Sequence, residues 1–376
     1  MKISRVFAAV APIGLTVAAL MAPSAVAVAA IDGPDPSASY VAANSSCPDG
    51  MSVIVPDRDA VAARGASAAL PSPAQSDPET QAVLRGIEAT AVSQRAASEN
   101  VTWLTSMDCT VTDVTAGPAE SAPASDGDLP GSINRSSSNW SGYQYAGLDP
   151  DYVYYRVASM VWQVPTPSNP AVATSRHVSI WPGLGTGDSV NDLLLQGGTE
   201  SFEGPVGASG TYGWFEAYPL QPSEVMINNL PINGGDEVGM TVAYYGAFNA
   251  FFELCNYTTD VCGQAELDVP PAQGGILSDR VEWIVERSAA AGNYSELLNF
   301  GTEQIDSAEA YEEYGSGVSY ISFPAGAVPL GGTSTYDRIT MKSCDGGTSL
   351  TGAPSANASD GGFTVAWQNY GSIESC

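Results

Sequence analysis

The chain has 376 residues, 44% of them hydrophobic, with 41 acidic against 13 basic residues and a formal charge of −28. Lysine occurs only as Lys2 and Lys342, which excludes nucleic-acid binding, because phosphate contact needs clustered Lys and Arg. With 13 basic residues and 1 histidine, side-chain charge never exceeds +14 even in strong acid; this composition fits either solubility or life at low pH, where self-repulsion unfolds ordinary proteins.

The N-terminus has the pattern of a secretory signal over residues 1–30. Lys2 and Arg5 form a charged start, Val6 to Met21 is apolar, and Ala25-Val26-Ala27 is a small-x-small cleavage site. The apolar stretch is short and Ala-rich for a membrane anchor. The expected mature protein is therefore extracellular and free of membrane. Export permits disulfides. The six cysteines suggest, by position, Cys47–Cys109, Cys255–Cys262 and Cys344–Cys376.

Residues 31–133 read as a pro-region and linker. Their first part is rich in Ala and Ser and poor in aromatics. One helix is expected near 78–98. Asp77 suits the N-cap, Pro78 the first helical position, and Val83, Ile87 and Ala91 share a face. Residues 117–133 carry the Gly, Pro and Ser of a flexible linker. An independent accessory domain is the alternative for this region.

From Asn134 to Cys376 the texture changes to short alternating segments separated by Gly, Pro and Asn turns. Strands are expected at 152–163, 177–181, 192–196, 210–218, 237–245, 249–254, 280–286, 318–323 and 363–367, with loop at 345–362. Helical periodicity is nearly absent. The pattern argues for an all-β fold, an antiparallel sandwich or barrel. A Cys255–Cys262 bridge would staple the mouth of a hairpin.

Two of these strands carry polar groups where a core strand would be apolar. Gln196, Gly198 and Glu200 share one face of the first; Glu282, Ile284 and Glu286 share one face of the second, with Val281, Trp283 and Val285 on the other. His177 is the lone histidine and reads as a partly exposed strand residue, so a Ser–His–Asp or Cys–His site is disfavoured. With cysteines oxidised, no metal site and no cofactor is expected. Asp-Thr-Gly and Asp-Ser-Gly are absent, which removes the pepsin-type dyad. Acids, amides and aromatics remain. A carboxylate can activate water as general base, and a Gln amide can hold the resulting oxyanion. On residues alone, a solvated polar face is equally open.

Four blocks in order resemble the glutamic peptidases, the eqolisin family. They are Ser137–Gly142; Ile180-Trp181-Pro182-Gly183-Leu184-Gly185 followed by Leu194-Leu195-Gln196-Gly197-Gly198; Gly213-Trp214-Phe215-Glu216-Ala217-Tyr218-Pro219; and Val281-Glu282-Trp283-Ile284-Val285-Glu286. The resemblance implies two packed antiparallel sheets of the concanavalin A-like lectin type, with a substrate groove on one face. It implies catalytic Gln196 and Glu286, site-lining Trp181, Trp214, Glu216 and Glu200, protein or peptide substrates, and a monomer secreted as a pepstatin-insensitive acid proenzyme. Gly185 stands where the family has an Asp, and a second family Asp falls at a gap beside Gly213. A glycoside hydrolase, or a carbohydrate-binding module using exposed Trp181 and Trp214, is the alternative on the same sandwich.

Overall fold

A computed structural model of the chain describes residues 47–56, 78–98, 100–116, 132–146, 153–168, 172–185, 193–245, 249–269, 278–290, 292–314, 317–323, 335–357 and 361–376. All lie in one compact unit, Ser37–Cys376. The expected signal segment, Asp77 and most of the expected linker lie outside the described residues.

Two large sheets face each other. The site sheet runs, edge to edge, Cys109–Val111, Val225–Ile227, Ser209–Tyr218, Leu194–Glu203, Arg176–Gly185, Arg280–Glu286, Trp140–Ala146, Thr335–Met341 and Ser132–Ser137, with Glu296–Leu297 parallel to the start of Arg176–Gly185. The back sheet runs Met51–Ile54, Val261–Asp268, Asn249–Asn256, Glu237–Tyr245, Val153–Gln163, Thr302–Tyr314, Gly362–Ala366 and Ser355–Asn357. Pairing is antiparallel throughout both central regions. The fold is an antiparallel β-sandwich, as the strand pattern predicts.

Strand alternation decides which face each side chain meets. Val178, Ile180, Leu195, Phe215, Val281, Trp283 and Val285 point between the sheets. There they pack with Met160, Trp162, Val238, Met240, Val242, Phe252 and Leu254 of the back sheet. The same alternation sends Gln196, Glu200 and Glu286 to the opposite face of the site sheet. Cys255 and Cys262 face each other in register across their hairpin and are bonded; Cys47–Cys109 and Cys344–Cys376 are the other two bridges.

The expected helix is two helices, α1 (Pro78–Ala89) and α2 (Ala91–Ser98). Thr90 separates them: its Oγ1 accepts the Ser93 N–H at 3.2 Å, as an N-cap does. Both helices lie on the outer face of the back sheet. Val83, Leu84 and Ile87 pack on Val157, Ala243, Tyr245 and Phe251. Val92 and Ala96 pack on Val161 and Cys255.

The residues read as an upstream pro-region are thus built into both sheets. Met51–Ile54 caps the edge of the back sheet and Cys109–Val111 that of the site sheet. Val114–Thr115 pairs with Ala289–Ala290 in a small third sheet. Of the 345–362 stretch, Ser355–Asn357 is strand, Gly362 begins the strand Gly362–Ala366, and Ser349 and Thr351 form isolated bridges with Lys342 and Trp367; residues 358–360 lie outside the described residues. Among the described residues, no helix is long and apolar enough to cross a membrane.

Ile87 is fully buried against the back sheet. Ile87→Ala should cost about 2–5 kcal/mol of unfolding free energy, read from the denaturant midpoint. A loss under about 0.5 kcal/mol, the size of a surface change, would mean that the helices do not dock.

Candidate active site

The outer face of the site sheet carries a band of polar and aromatic side chains set by cross-strand register. Glu216 lies opposite Gln196, Trp214 opposite Gly198, and Tyr212 opposite Glu200. Glu200 lies opposite Ser179, and Ser179 opposite Glu286. Trp181 lies opposite Ile284. Gly198 is required between the two tryptophans: a Cβ there would stand 1.9 Å from the Ile180 carbonyl oxygen.

Gln196 is fully buried. Its Nε2 donates to Glu216 Oε2 at 3.1 Å and to the carbonyl oxygen of Ala116. Glu286 is also fully buried. It accepts hydrogen bonds from Asn139 Nδ2 at 3.0 Å and from Trp181 Nε1 at 2.8 Å. Asn139 is aimed by Ser137, whose Oγ donates to Asn139 Oδ1 at 2.8 Å. Burial pushes the Glu286 carboxyl well above the usual range, against the pull of the Trp181, Asn139 and Trp140 donors. Glu216 is raised by burial and then by the charge of Glu286.

Glu200 and Glu224 form a second carboxyl group along the band. Glu200 meets His177 Nδ1 at 2.6 Å and accepts from Ser179 Oγ at 2.6 Å and Ser288 Oγ at 2.9 Å. Glu224 accepts from Ser179 Oγ at 3.2 Å and Tyr212 OH at 2.8 Å. Burial raises Glu224 as well, and the Glu200 charge adds to it.

Every site residue expected from the sequence therefore lies on this face. Sequence reasoning missed Glu224, which no periodic pattern marks. It also left Asn139 without a role, although Asn139 sits inside the first family-like block. Two expectations need correction. His177 is buried, not partly exposed, because Glu200 and the ring of Phe202 cover it. Trp181 and Trp214 are fully buried, not exposed, because Ala116 packs among them with Trp140, Leu194, Ile284 and Ile339.

Gly185, and Gly213 beside the gap, are both closely packed. A Cβ on Gly185 would meet the Glu282 carboxyl at 3.0 Å, so Glu282 fills that space. A Cβ on Gly213 would point into the core, 2.5 Å from Leu254 Cδ2; a carboxylate there could not reach the site face.

Buried polar atoms are rarely left without partners. Among the described residues, Gln196 Oε1, Glu216 Oε1 and Trp214 Nε1 make no hydrogen bond. The pocket thus holds a peptide carbonyl on an amide donor, an adjoining buried carboxyl, and spare donors and acceptors for water or a second peptide group.

The model of the peptidase A4 family matches residues 138–348, a span that takes in all of these strands. The chain belongs to this family. It is a glutamic peptidase by family and a hydrolase of peptide bonds by class. Similar solved structures include scytalido-glutamic peptidase with a transition state analog inhibitor, at 16% identity and TM-score 0.44 over 61% of this chain and 98% of that one. SCP-B of the eqolisin family, in complex with the tripeptide Ala-Ile-His, matches at 16% identity and TM-score 0.43, with the same coverage of 61% and 98%. Aspergilloglutamic peptidase from Aspergillus niger matches at 22% identity and TM-score 0.39, over 51% of this chain and 99% of that one. No curated protein matches.

The buried carboxyls of this A4-family chain give its stability a sign with pH. Burial raises Glu253 and Glu282 to about 7, and raises Glu216, Glu224 and Glu286 well above 4.5. The folded state keeps protons that the unfolded chain releases above its ordinary carboxylate pKa. Their stabilising contribution is therefore fully present below that value and is lost as pH rises through the folded values. Glu253 and Glu282 should each contribute of order 3 kcal/mol. The thermal midpoint should be highest near about pH 4 and fall between roughly pH 5 and 8. A midpoint that rises across that window would contradict the burial of these groups.

Proposed function

We propose that the protein is a secreted acid endopeptidase in which Glu286 and Gln196 form the catalytic dyad. The observation that carries this reading is the Gln196 amide donating to a peptide carbonyl, that of Ala116, beside carboxyls that feel the charge of Glu286. Ionised Glu286 takes a proton from water. The hydroxyl oxygen adds to the substrate carbonyl carbon, and Gln196 Nε2 stabilises the oxyanion. The tetrahedral intermediate collapses with breakage of the C–N bond, and Glu286 returns its proton to the leaving nitrogen.

The electrostatics support this division of labour. While Ala116 covers the site, burial favours the protonated carboxyl of Glu286. The donors Asn139 and Trp181 favour its charged form, which is the base, once water enters. Trp181, Trp214 and Glu216 line the substrate, and Glu200 with Glu224 holds the strands beside the dyad. The N-terminal signal pattern and the three disulfides support secretion. The N-terminal segment that carries Ala116 keeps the enzyme latent. A sugar-cleaving reading has less support, since Trp181 and Trp214 enclose a peptide residue and the Gln196 donor would have no task.

Digestion of an unfolded protein at about pH 3–4, with pepstatin present, tests the proposal. Wild type should cut; Glu286→Gln should not, with its thermal midpoint retained. Gln196→Ala should lower kcat by about a hundredfold to a thousandfold, as removal of an oxyanion donor does. Wild-type rates in Glu286→Gln would overturn the assignment.

A further inference from the structure

We propose that the C-terminal tail, residues 370–376, is part of the catalytic machinery: it clamps the Arg287 guanidinium, and Arg287, acting through Asn139, positions Glu286. The inference rests on the Gln196–Glu286 reading and adds to it a positioning residue and the segment that holds that residue. The tail lies beyond residue 348, where the family match ends.

Arg287 directly follows Glu286 and is fully buried. A buried cation needs a countercharge and acceptors for its donors. Here they come from the tail and from two turns beside it. Nη1 donates to Ser372 O at 3.4 Å. Nη2 lies 3.6 Å from Glu374 Oε2 and 3.9 Å from Cys344 Sγ. The centre of the Tyr294 ring is 5.1 Å from Cζ. Gly371 lets the tail come this close. Its φ is +70°, and a Cβ there would stand 3.2 Å from Arg287 Nη1.

The tail is itself pinned. Tyr294 N–H donates to Glu374 O at 2.8 Å, Glu374 N–H returns a bond to Tyr294 O at 3.1 Å, and Leu297 N–H donates to Tyr370 O at 2.7 Å. Glu374 Oε2 accepts the Cys344 N–H at 2.6 Å, and Oε1 accepts from Ser372 Oγ at 2.9 Å. The Cys344–Cys376 bridge closes the tail onto the chain just after the strand Thr335–Met341.

From Arg287 the clamp reaches the base in two bonds. Arg287 N–H donates to Asn139 O at 2.7 Å, and Asn139 Nδ2 donates to Glu286 Oε1 at 3.0 Å. The turn that carries Asn139 is held from its other end as well. Lys342 N–H, two residues before Cys344, donates to Ser137 O at 2.9 Å, and Ser137 Oγ donates to Asn139 Oδ1 at 2.8 Å. Opening the clamp therefore takes aim away from the Asn139 amide. That donor favours the charged form of Glu286, which is the base. The acids facing Glu286 are Glu200, whose charge opposes its ionisation, and Glu216 and Glu224, which feel its charge in turn. Its other partners, Trp181 and Trp140, are neutral donors. None of these belongs to the clamp.

The test follows digestion of an unfolded protein by the acidified full chain between about pH 2 and 6, below each variant's thermal midpoint. Replacing Arg287 itself can unfold the chain, so the variants act on its partners: Glu374→Gln, and Cys344→Ser combined with Cys376→Ser. Both should lower kcat about tenfold to a hundredfold with KM little changed, as a small misplacement of a reacting group does. The acid limb of kcat should move up by about half a pH unit or more, because a donor to the charged carboxyl is weakened. The direction separates positioning from charge: loss of the Glu374 charge acting through space would favour ionisation and move the limb down. The Trp181 indole N–H, which donates to Glu286, reports the same titration by NMR without substrate, its signal assigned by loss in Trp181→Phe. Its midpoint should rise in both variants. Wild-type kcat in both variants, or a midpoint that stays or falls, would overturn the clamp, while cutting by wild type leaves the dyad standing. If wild type does not cut, the dyad reading falls, and the indole midpoint still decides whether the tail positions Glu286.

Discussion

The constraint on which the structure turns is the burial of carboxyl groups in a chain with few cations. Glu200, Glu216, Glu224 and Glu286 all sit at or near zero exposure on one face of one sheet. A buried carboxylate must be paired, be held by neutral donors, or keep its proton. Here the visible partners are mostly neutral: the Asn139 amide, the Trp181 indole, and the hydroxyls of Ser179, Ser288 and Tyr212. Neutral donors leave Glu216, Glu224 and Glu286 able to change charge, which a tight arginine pair would prevent. The arrangement suits an environment where protons are plentiful.

Alternation is what makes this possible on so few strands. Arg280–Glu286 gives Val281, Trp283 and Val285 to the core and Glu282 and Glu286 to the site. Each residue of packing is thus also a residue of positioning. Trp283 Nε1 donates to the Ser159 carbonyl of the opposite sheet at 3.0 Å, so the strand bearing Glu286 is fixed from behind.

Much of this was legible in the sequence, and the reasons are local. Strands with apolar residues at every second place, such as Glu237–Tyr245 and Arg280–Glu286, begin and end where their pattern does. Thr302–Tyr314 escaped notice because it buries Glu303, Glu309 and Glu312, and a bulge between Asp306 and Glu309 breaks its period. Gln196 and Glu286 were legible because a polar residue in a core-like strand is anomalous. Glu224 and Ala116 were not: an acid after a Pro-Ser pair and a single alanine after a Thr- and Val-rich run carry no local signal. Their places come from long-range pairing, which single-strand patterns do not encode.

The N-terminal segment also has a consequence for how the sandwich comes together. Met51–Ile54 satisfies the outer edge of Val261–Asp268, and α1 covers Val157, Ala243, Tyr245 and Phe251. A chain beginning at residue 134 would have to fold with a bare hydrogen-bonding edge and an uncovered apolar sheet face, the two features that draw β proteins into aggregates. The segment therefore closes an edge and covers an apolar face that the later strands would otherwise leave open. Preparations of the shorter chain call for this segment to be supplied alongside it, as a separate polypeptide.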